Sequence, residues 1–255
     1  MRFVFIILSV AFLAGCSSMP SDYNKVKPAN PIDLDPGGAD LVSQDEFYGA
    51  SQHRSSRYYK RHDYYNMKSN DELTILPHFK TFQQTSNTSC GAASVLMVLD
   101  YYNRLDDWDE KNLEELVKLP SNGKVPGSKS LRNIIEMFKG VGRFDIYSTF
   151  DAGKNVDEVF TLKFIRETLA AGNPIIIGWN DFGGHWQVII GYDTMGTETE
   201  LDDVLIVADP YDVTDHWQDG YGIYPAIRFI YNFDFYNLFP EKELPHKTFL
   251  IAKPK

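Results

Sequence analysis

Cysteine and histidine are scarce in this sequence: the 255 residues include two cysteines and six histidines. Two cysteines cannot form the multiple disulfides that stabilise many small secreted domains. The histidines are scattered along the chain, so no cluster has the spacing of a metal site. We therefore expect no metal ion and no other cofactor, and any chemistry must come from the side chains themselves.

Apolar runs long enough to cross a bilayer are also missing, since a spanning helix needs about 20 apolar residues. Residues 3–13 form a shorter apolar run, broken only by a serine and preceded by Met1-Arg2. This pattern predicts a signal peptide over residues 1–15. The sequence Leu13-Ala14-Gly15-Cys16 resembles a bacterial lipobox, which implies cleavage before Cys16 and lipid attachment to it. The alternative is an ordinary signal peptide followed by a chance cysteine.

These features predict a protein anchored to the bacterial cell envelope by a lipid on Cys16. Several acyl chains on one cysteine would hold it firmly, because a single chain binds a membrane only marginally. Ser17 follows the cysteine where an aspartate could stand. In a Gram-negative cell that resembles the pattern of lipoproteins sent to the outer membrane, where the chain would face the periplasm.

An excess of positive charge is absent too, because the formal net charge is −10. This balance argues against nucleic acid as the main partner. Residues 16–71 are predicted to form a tether and an N-terminal arm, and residues 72–255 one globular domain. Basic and aromatic residues alternate over residues 51–67, which could bind nucleic acid or lipid headgroups. Packing of this arm against the acidic domain is the interpretation that the opposite charges favour.

Helix signals occupy the first part of the domain and strand signals the second, which indicates an α+β fold with a mostly antiparallel sheet. A short strand is predicted at residues 73–76. Helices are predicted at residues 90–102, 109–119, 128–138 and 157–171. Further strands are predicted at residues 174–179, 185–192, 204–208, 226–233 and 249–252.

Cys90 begins a predicted helix that is apolar on nearly every side, which indicates a buried central helix capped by Thr88 or Ser89. With Cys16 lipidated, Cys90 has no disulfide partner within the chain. A thiol in the first turn of a helix lies at the positive end of the helix dipole, which favours the reactive thiolate. The alternative is a buried structural cysteine, the commoner role of this residue type.

A nucleophilic cysteine needs a base, and the base needs a group that orients it. His185 starts a predicted strand after a loop with two glycines, and Asp209 ends the next strand. Pairing Ile190 with Val204 would place His185 opposite Asp209, with Cα atoms about 5 Å apart. A carboxylate there would fix the imidazole tautomer and stabilise the imidazolium. Alternatively, His185 is an ordinary loop residue and Asp209 a turn residue; His216 is the reserve candidate for the base.

Gln84 stands six residues before Cys90, close enough to reach back over the start of the helix. Its side-chain amide and the backbone N–H of Cys90 could hold the negatively charged oxygen that develops during acyl transfer. Gln83 is the rival candidate, and the spacing to the cysteine favours Gln84.

Three blocks of the sequence resemble motifs of a known family. They are Gln84-x5-Cys90-Gly91-x-Ala93, the block from Gly184 to Tyr192, and Ala208-Asp209-Pro210. Together they are similar to the motifs of bacteriocin-processing, double-glycine-type peptidases of the papain-like cysteine peptidase superfamily. The resemblance covers roughly residues 76–233. It implies a papain-like fold with Cys90 as nucleophile, His185 as base, Asp209 as the orienting residue and Gln84 as the oxyanion residue.

The resemblance has limits that leave the substrate open. Relatives in toxin export are fused to membrane transporters and work in the cytoplasm, whereas this chain carries a predicted export signal and no transporter. Cleavage after paired glycines therefore cannot be assumed. A peptide or protein is the expected substrate. The alternatives are an amidase or acyl transferase acting on a non-peptide or isopeptide bond, and a binding module that keeps the fold without catalysis.

Overall fold

The computed structural model describes residues 62–117, 130–181, 184–212, 218–233 and 247–255. The predicted signal peptide, Cys16 and most of the predicted tether lie outside these residues. After a short 3-10 helix at Tyr64–Asn66, the described elements are β1 Leu73–Ile75, α1 Cys90–Tyr101, α2 Glu110–Leu116, α3 Leu131–Val141, β2 Phe144–Ser148, α4 Thr149–Ala152, a 3-10 turn Gly153–Asn155, α5 Val156–Val159, α6 Leu162–Ala170, β3 Ile175–Trp179, β4 His185–Asp193, β5 Val204–Ala208, β6 Tyr221–Pro225, α7 Ala226–Asn232 and β7 Thr248–Pro254.

One antiparallel sheet of seven strands organises these elements. Its strand order is β2-β7-β3-β4-β5-β6, and β1 pairs with one end of β4. The mixture of helices and antiparallel sheet is the predicted α+β fold. β4 is the longest strand and is buried along almost its whole length. Its neighbours β3 and β5 both contribute to the site described below.

Helix α1 lies across this sheet and is the central buried helix that the sequence predicted. All ten residues from Cys90 to Leu99 are buried, and the helix packs mainly against β4. A helix apolar on every side forms when it is enclosed by other elements, here the sheet, α2 and α3. The packing of α1 on β4 therefore determines where Cys90, the first residue of the helix, lies relative to the sheet.

The helices around α1 begin at polar capping residues. Asp109 caps α2 in a capping box with Asn112, and Ser130 caps α3 by accepting a hydrogen bond from the Asn133 N–H. The predicted start of α3 at residue 128 lies outside the described residues. The helix itself begins later, at Leu131, and ends at Val141.

Two predicted elements are wrong. Residues 226–233 were predicted as a strand but form α7, in which Ala226, Phe229 and then Phe233 are buried at helical spacing. Residues 157–171 were predicted as one helix but form α5 and α6. The chain breaks at Phe160 and restarts where the Thr161 side chain caps α6 by accepting from the Phe164 N–H.

Two tyrosines of the predicted N-terminal arm contact residues of the predicted globular domain. Tyr64 packs against Tyr221 with ring centroids 5.5 Å apart, and Tyr65 packs against His78 at 5.0 Å. The backbone N–H of His78 also donates to the Tyr65 carbonyl. Within the part of the chain that is described, no helix is long and apolar enough to cross a membrane.

Two glycines with similar positive φ offer a test of how tightly the domain is packed around Gly220. Gly142 and Gly220 have φ of 79° and 81°, but an added Cβ meets nothing within 4 Å at Gly142 and lies 2.3 Å from Thr81 at Gly220. We expect Gly142→Ala to cost about 1–3 kcal/mol, because φ of 79° with ψ of 173° is a backbone region that is essentially restricted to glycine. Gly220→Ala should cost at least about 1–3 kcal/mol more, because overpacking adds to the strain.

Chemical unfolding of both variants measures this difference. Gly142→Ala is the control, since it also places a side chain at positive φ but without the steric clash. Equal losses of stability would show that Thr81 can move away freely.

Candidate active site

Cys90 is the first residue of α1 and is buried, with 8% of its surface exposed. The N-cap residue Ser89 does not cap the helix with its side chain. Its hydroxyl instead accepts from the Ser86 N–H at 3.1 Å and donates to the Ser86 carbonyl at 3.2 Å. The first N–H groups of a helix have no partner inside it. Because the Ser89 side chain leaves them uncovered, they remain available beside the thiol.

His185 begins β4, opposite Trp179 of β3, and is 4% exposed. Its Nε2 lies 2.6 Å from Oδ1 of Asp209, which follows directly after β5. The Cys90 side chain forms the other hydrogen bond of the imidazole. Since Nε2 is occupied by the carboxylate, Nδ1 is the ring nitrogen left for the thiol. The imidazole therefore lies between the thiol and the carboxylate.

The predicted pairing that motivated this arrangement is wrong in register. Val188 pairs with Ala208 and Ile189 with Val207, and a β-bulge at Ile190 shifts the pairing beyond it. Continuing the register by one residue places Asp209 opposite Gln187 rather than His185. Asp209 still reaches the imidazole, because residues two apart on a strand share a face of the sheet.

Asp209 is held by three donors and is 1% exposed. Oδ1 accepts from His185 and from the backbone N–H of Tyr211 at 2.8 Å, and Oδ2 accepts from the Gln187 side chain at 2.7 Å. The backbone N–H of Asp209 donates to the Gly220 carbonyl at 2.8 Å. The carboxylate is thus fixed in position and direction.

Gln84 is 7% exposed, and its backbone N–H donates to the Pro210 carbonyl at 2.8 Å. Its Nε2 donates to the Ser86 carbonyl at 2.7 Å, within the turn that leads into α1. This bond uses one of the two N–H groups of the amide. The other N–H is not used in this bond, and Oε1 is buried without a hydrogen-bond partner. Oε1 of the rival Gln83 is also buried and unpartnered.

The ionisation of His185 is controlled by its two partners. Burial by itself would lower the pKa of the imidazole, but the hydrogen bonds and negative charges of Asp209 and Cys90 raise it to about 9. Burial would likewise raise the pKa of Asp209, yet the hydrogen bond and charge of His185 hold it below its ordinary value. Both shifts favour a charged imidazolium–carboxylate pair.

Gln187 is the functional candidate that sequence reasoning missed, although it was part of the second sequence block. It is fully buried between Trp186 and the apolar run Val188–Ile190 of β4, and it stands two residues after His185. A buried amide in such a strand must find hydrogen-bond partners. That feature could have identified it. The reserve base His216 and the lipidation site Cys16 lie outside the described residues.

No group of three or more histidine, cysteine, aspartate or glutamate side chains in the described ranges is arranged to hold a metal ion. The side chains of the site are a thiol, an imidazole, a carboxylate and amide groups. This set has the chemistry for acyl transfer through a covalent thioester.

The raised pKa of His185 makes a prediction about stability. A group whose pKa is higher in the folded protein stabilises it fully below the unfolded pKa of 6.5 and loses that effect as the pH rises through about 9. In a Cys90→Ala background, which leaves Asp209 as the partner that raises the pKa of His185, we expect the free energy of unfolding to fall by less than the roughly 3 kcal/mol of the full shift, and the fall to end below pH 9. With Asp209→Asn added, this fall should largely disappear. Denaturant unfolding at several pH values tests this, and parallel profiles of the two variants would mean that Asp209 does not raise the pKa of the imidazole.

Comparison with known proteins assigns the family. The sequence model of the Peptidase_C39 like family matches residues 77–230, more than half of the chain. Among solved structures, a double glycine motif protease from an AMS/PCAT transporter, in complex with the leader peptide, is 18% identical with a TM-score of 0.39, covering 73% of this chain and 96% of its own. No curated protein sequence matches this one. This chain belongs to the Peptidase C39-like family, in agreement with the resemblance that its three sequence blocks carry.

Proposed function

We propose that this protein is a cysteine peptidase that hydrolyses peptide bonds through Cys90, His185, Asp209 and Gln84. The observation that carries the proposal is the position of the imidazole, which is hydrogen-bonded to the thiol on one side and to a buried carboxylate on the other. A nucleophile, a base and an orienting group within hydrogen-bond reach of each other are the requirements for covalent catalysis.

In the first half of the reaction the Cys90 thiolate attacks the carbonyl carbon of the substrate. The carbonyl π electrons move to oxygen, and the oxyanion is held by the Cys90 N–H and the free N–H of the Gln84 amide. When the intermediate collapses, the C–N bond breaks and the His185 imidazolium gives its proton to the leaving amine. The products are a free amine and a thioester on Cys90.

In the second half a water molecule attacks the thioester while His185 accepts its proton. The C–S bond then breaks, the carboxylic acid product leaves, and the thiolate and imidazolium are restored. Asp209 keeps Nε2 of the imidazole engaged throughout, so that Nδ1 always faces the reacting groups. The carboxylate remains ionised because His185, Tyr211 and Gln187 all donate to it.

We further propose that the protein is exported and attached to the bacterial cell envelope through a lipid on Cys16, facing the periplasm from the outer membrane in a Gram-negative cell. The supporting observation is the short apolar segment ending in Leu13-Ala14-Gly15-Cys16. The substrate is then a peptide or protein of the same compartment.

Cys90 should be alkylated by iodoacetamide faster than a free cysteine near neutral pH, because its hydrogen-bonded imidazole stabilises the thiolate. On a peptide library, cleavage should be abolished in Cys90→Ala and reduced nearly as strongly in His185→Ala. Mass spectrometry identifies the labelled residue and the cleaved bonds. Labelling that requires denaturation would reject the enzyme. Rapid labelling without cleavage of any peptide, but with turnover of amide or thioester acyl donors, would favour the amidase or transferase alternative.

The neighbouring glutamines provide a matched pair for the oxyanion role. Gln84→Ala should lower kcat by about ten- to a thousandfold, the usual cost of losing one oxyanion donor. Gln83→Ala should change kcat little, although it too removes a buried amide oxygen that has no partner. Steady-state kinetics of both variants decides between them, and the reverse result would move the role to Gln83.

The lipid anchor is tested separately from catalysis. Full-length protein expressed in bacteria should sediment with membranes, and Cys16→Ala should release it or leave it unprocessed. Cys90→Ala, which keeps the anchor, is the control. A wild-type protein that is wholly soluble with an unmodified N-terminus would rule out lipidation.

A further inference from the structure

The side chain of Gln187, although it lies among apolar neighbours on β4, makes three hydrogen bonds. Its Nε2 donates to Asp209 Oδ2 at 2.7 Å and to the Tyr224 hydroxyl at 3.0 Å. Its Oε1 accepts from the indole N–H of Trp179 at 2.8 Å. Both amide hydrogens and one oxygen lone pair are therefore used, and the side chain is fully buried. The amide can neither rotate nor flip without breaking these bonds.

The partners of Gln187 lie on β3, directly after β5, and on β6, around Gln187 on β4. Trp179 is on β3, opposite His185, and Tyr224 is on β6, opposite Leu205 of β5. Because paired residues and residues two apart share a face, these side chains and Asp209 project from the same face of the sheet. The network thus belongs to the face that carries His185.

A purely structural role explains this network poorly. Replacing a buried hydrogen-bonded group by an apolar one of similar shape can be nearly neutral for stability when its partners go too. Here one partner is the ionised carboxylate that orients the imidazole. Without Gln187, Oδ2 of Asp209 would lose its donor in a pocket with almost no access to water. The carboxylate would then have to turn or become easier to protonate.

We propose that Gln187 is a positioning residue of the catalytic site, which holds the second oxygen of Asp209 so that the first remains aimed at His185. This role rests on the proposed function and adds a residue to it. Gln187 does not touch the reacting atoms. It acts on the imidazole only through Asp209.

Tyr224 extends the same network to the loop before His185. Its hydroxyl accepts from Gln187 and donates to Oδ2 of Asp181 at 3.2 Å. The carbonyl of Asp181 accepts from the Gly184 N–H at 2.7 Å. Burial raises the pKa of the Tyr224 phenol, so it keeps the proton that it donates. Gln187 therefore links Asp209 with the turn from which β4 and the imidazole begin.

The deciding experiment is an NMR titration of the His185 ring in the full-length protein. Gln187→Met keeps the size and flexibility of the side chain but removes its donors. We expect the pKa of His185 to fall below its wild-type value of about 9. We also expect iodoacetamide alkylation of Cys90 at pH 6 to slow by about tenfold, the effect of one hydrogen bond to a charged group. Gln187→Glu should recover much of both values, because a carboxyl group protonated beside Asp209 can donate as the amide does.

Val188→Ala is the matched control, since Val188 is fully buried on the opposite face of the same strand. It should lower the free energy of unfolding without changing the titration of His185. An unchanged or raised pKa in Gln187→Met would overturn the proposal, whatever the loss of stability. If wild-type Cys90 proves unreactive while the pKa still falls in Gln187→Met, the peptidase proposal fails and the positioning role of Gln187 stands.

Discussion

The burial of α1 against β4 is the constraint on which the rest of the structure depends. Every residue from Cys90 to Leu99 is removed from water, and this apolar surface supplies a large share of the driving force for packing helix on sheet. The helix cannot slide or turn without exposing it. Cys90, the first residue of the helix, is therefore held close to His185, the first residue of β4. Apolar packing alone brings the thiol and the imidazole together.

The polar contacts refine this placement rather than create it. Asp209 reaches His185 because β5 is paired with β4, and the backbone N–H of Gln84 donates to the carbonyl of Pro210, the residue after Asp209. His185 and Asp209 are buried and satisfy each other, whereas Oε1 of the Gln84 side chain is buried without a hydrogen-bond partner. Gln187 does not contact His185 but donates to the second oxygen of Asp209. The result is a site in which both carboxylate oxygens and the histidine are held by several elements at once.

Much of this could be predicted from the sequence because the signals were local. A capped apolar run predicted α1 with Cys90 at its start, and the apolar strand 204–208 was found with the same bounds. Tertiary context decided the elements that were wrong. Residues 226–233 are rich in β-branched and aromatic residues, which favours a strand by propensity, yet their buried positions follow a helical period. The bulge at Ile190 shifts the register between β4 and β5, and no local sequence pattern predicts it. Gln187 was passed over because its partners on β3, β5 and β6 are brought to it only by the folded sheet.

The hydrogen bond from the Gln84 N–H to the Pro210 carbonyl also affects the order in which parts of the site form during folding. It joins the segment that precedes the thiol to the segment that follows the carboxylate, two parts of the chain separated by most of the domain. Contacts between such distant segments form late, because the entropy of closing the intervening loop must be overcome first. An incomplete chain already contains the thiol but lacks this hydrogen bond. The arrangement around Cys90 is therefore completed only after the segment that follows β5 has folded onto the segment that precedes α1.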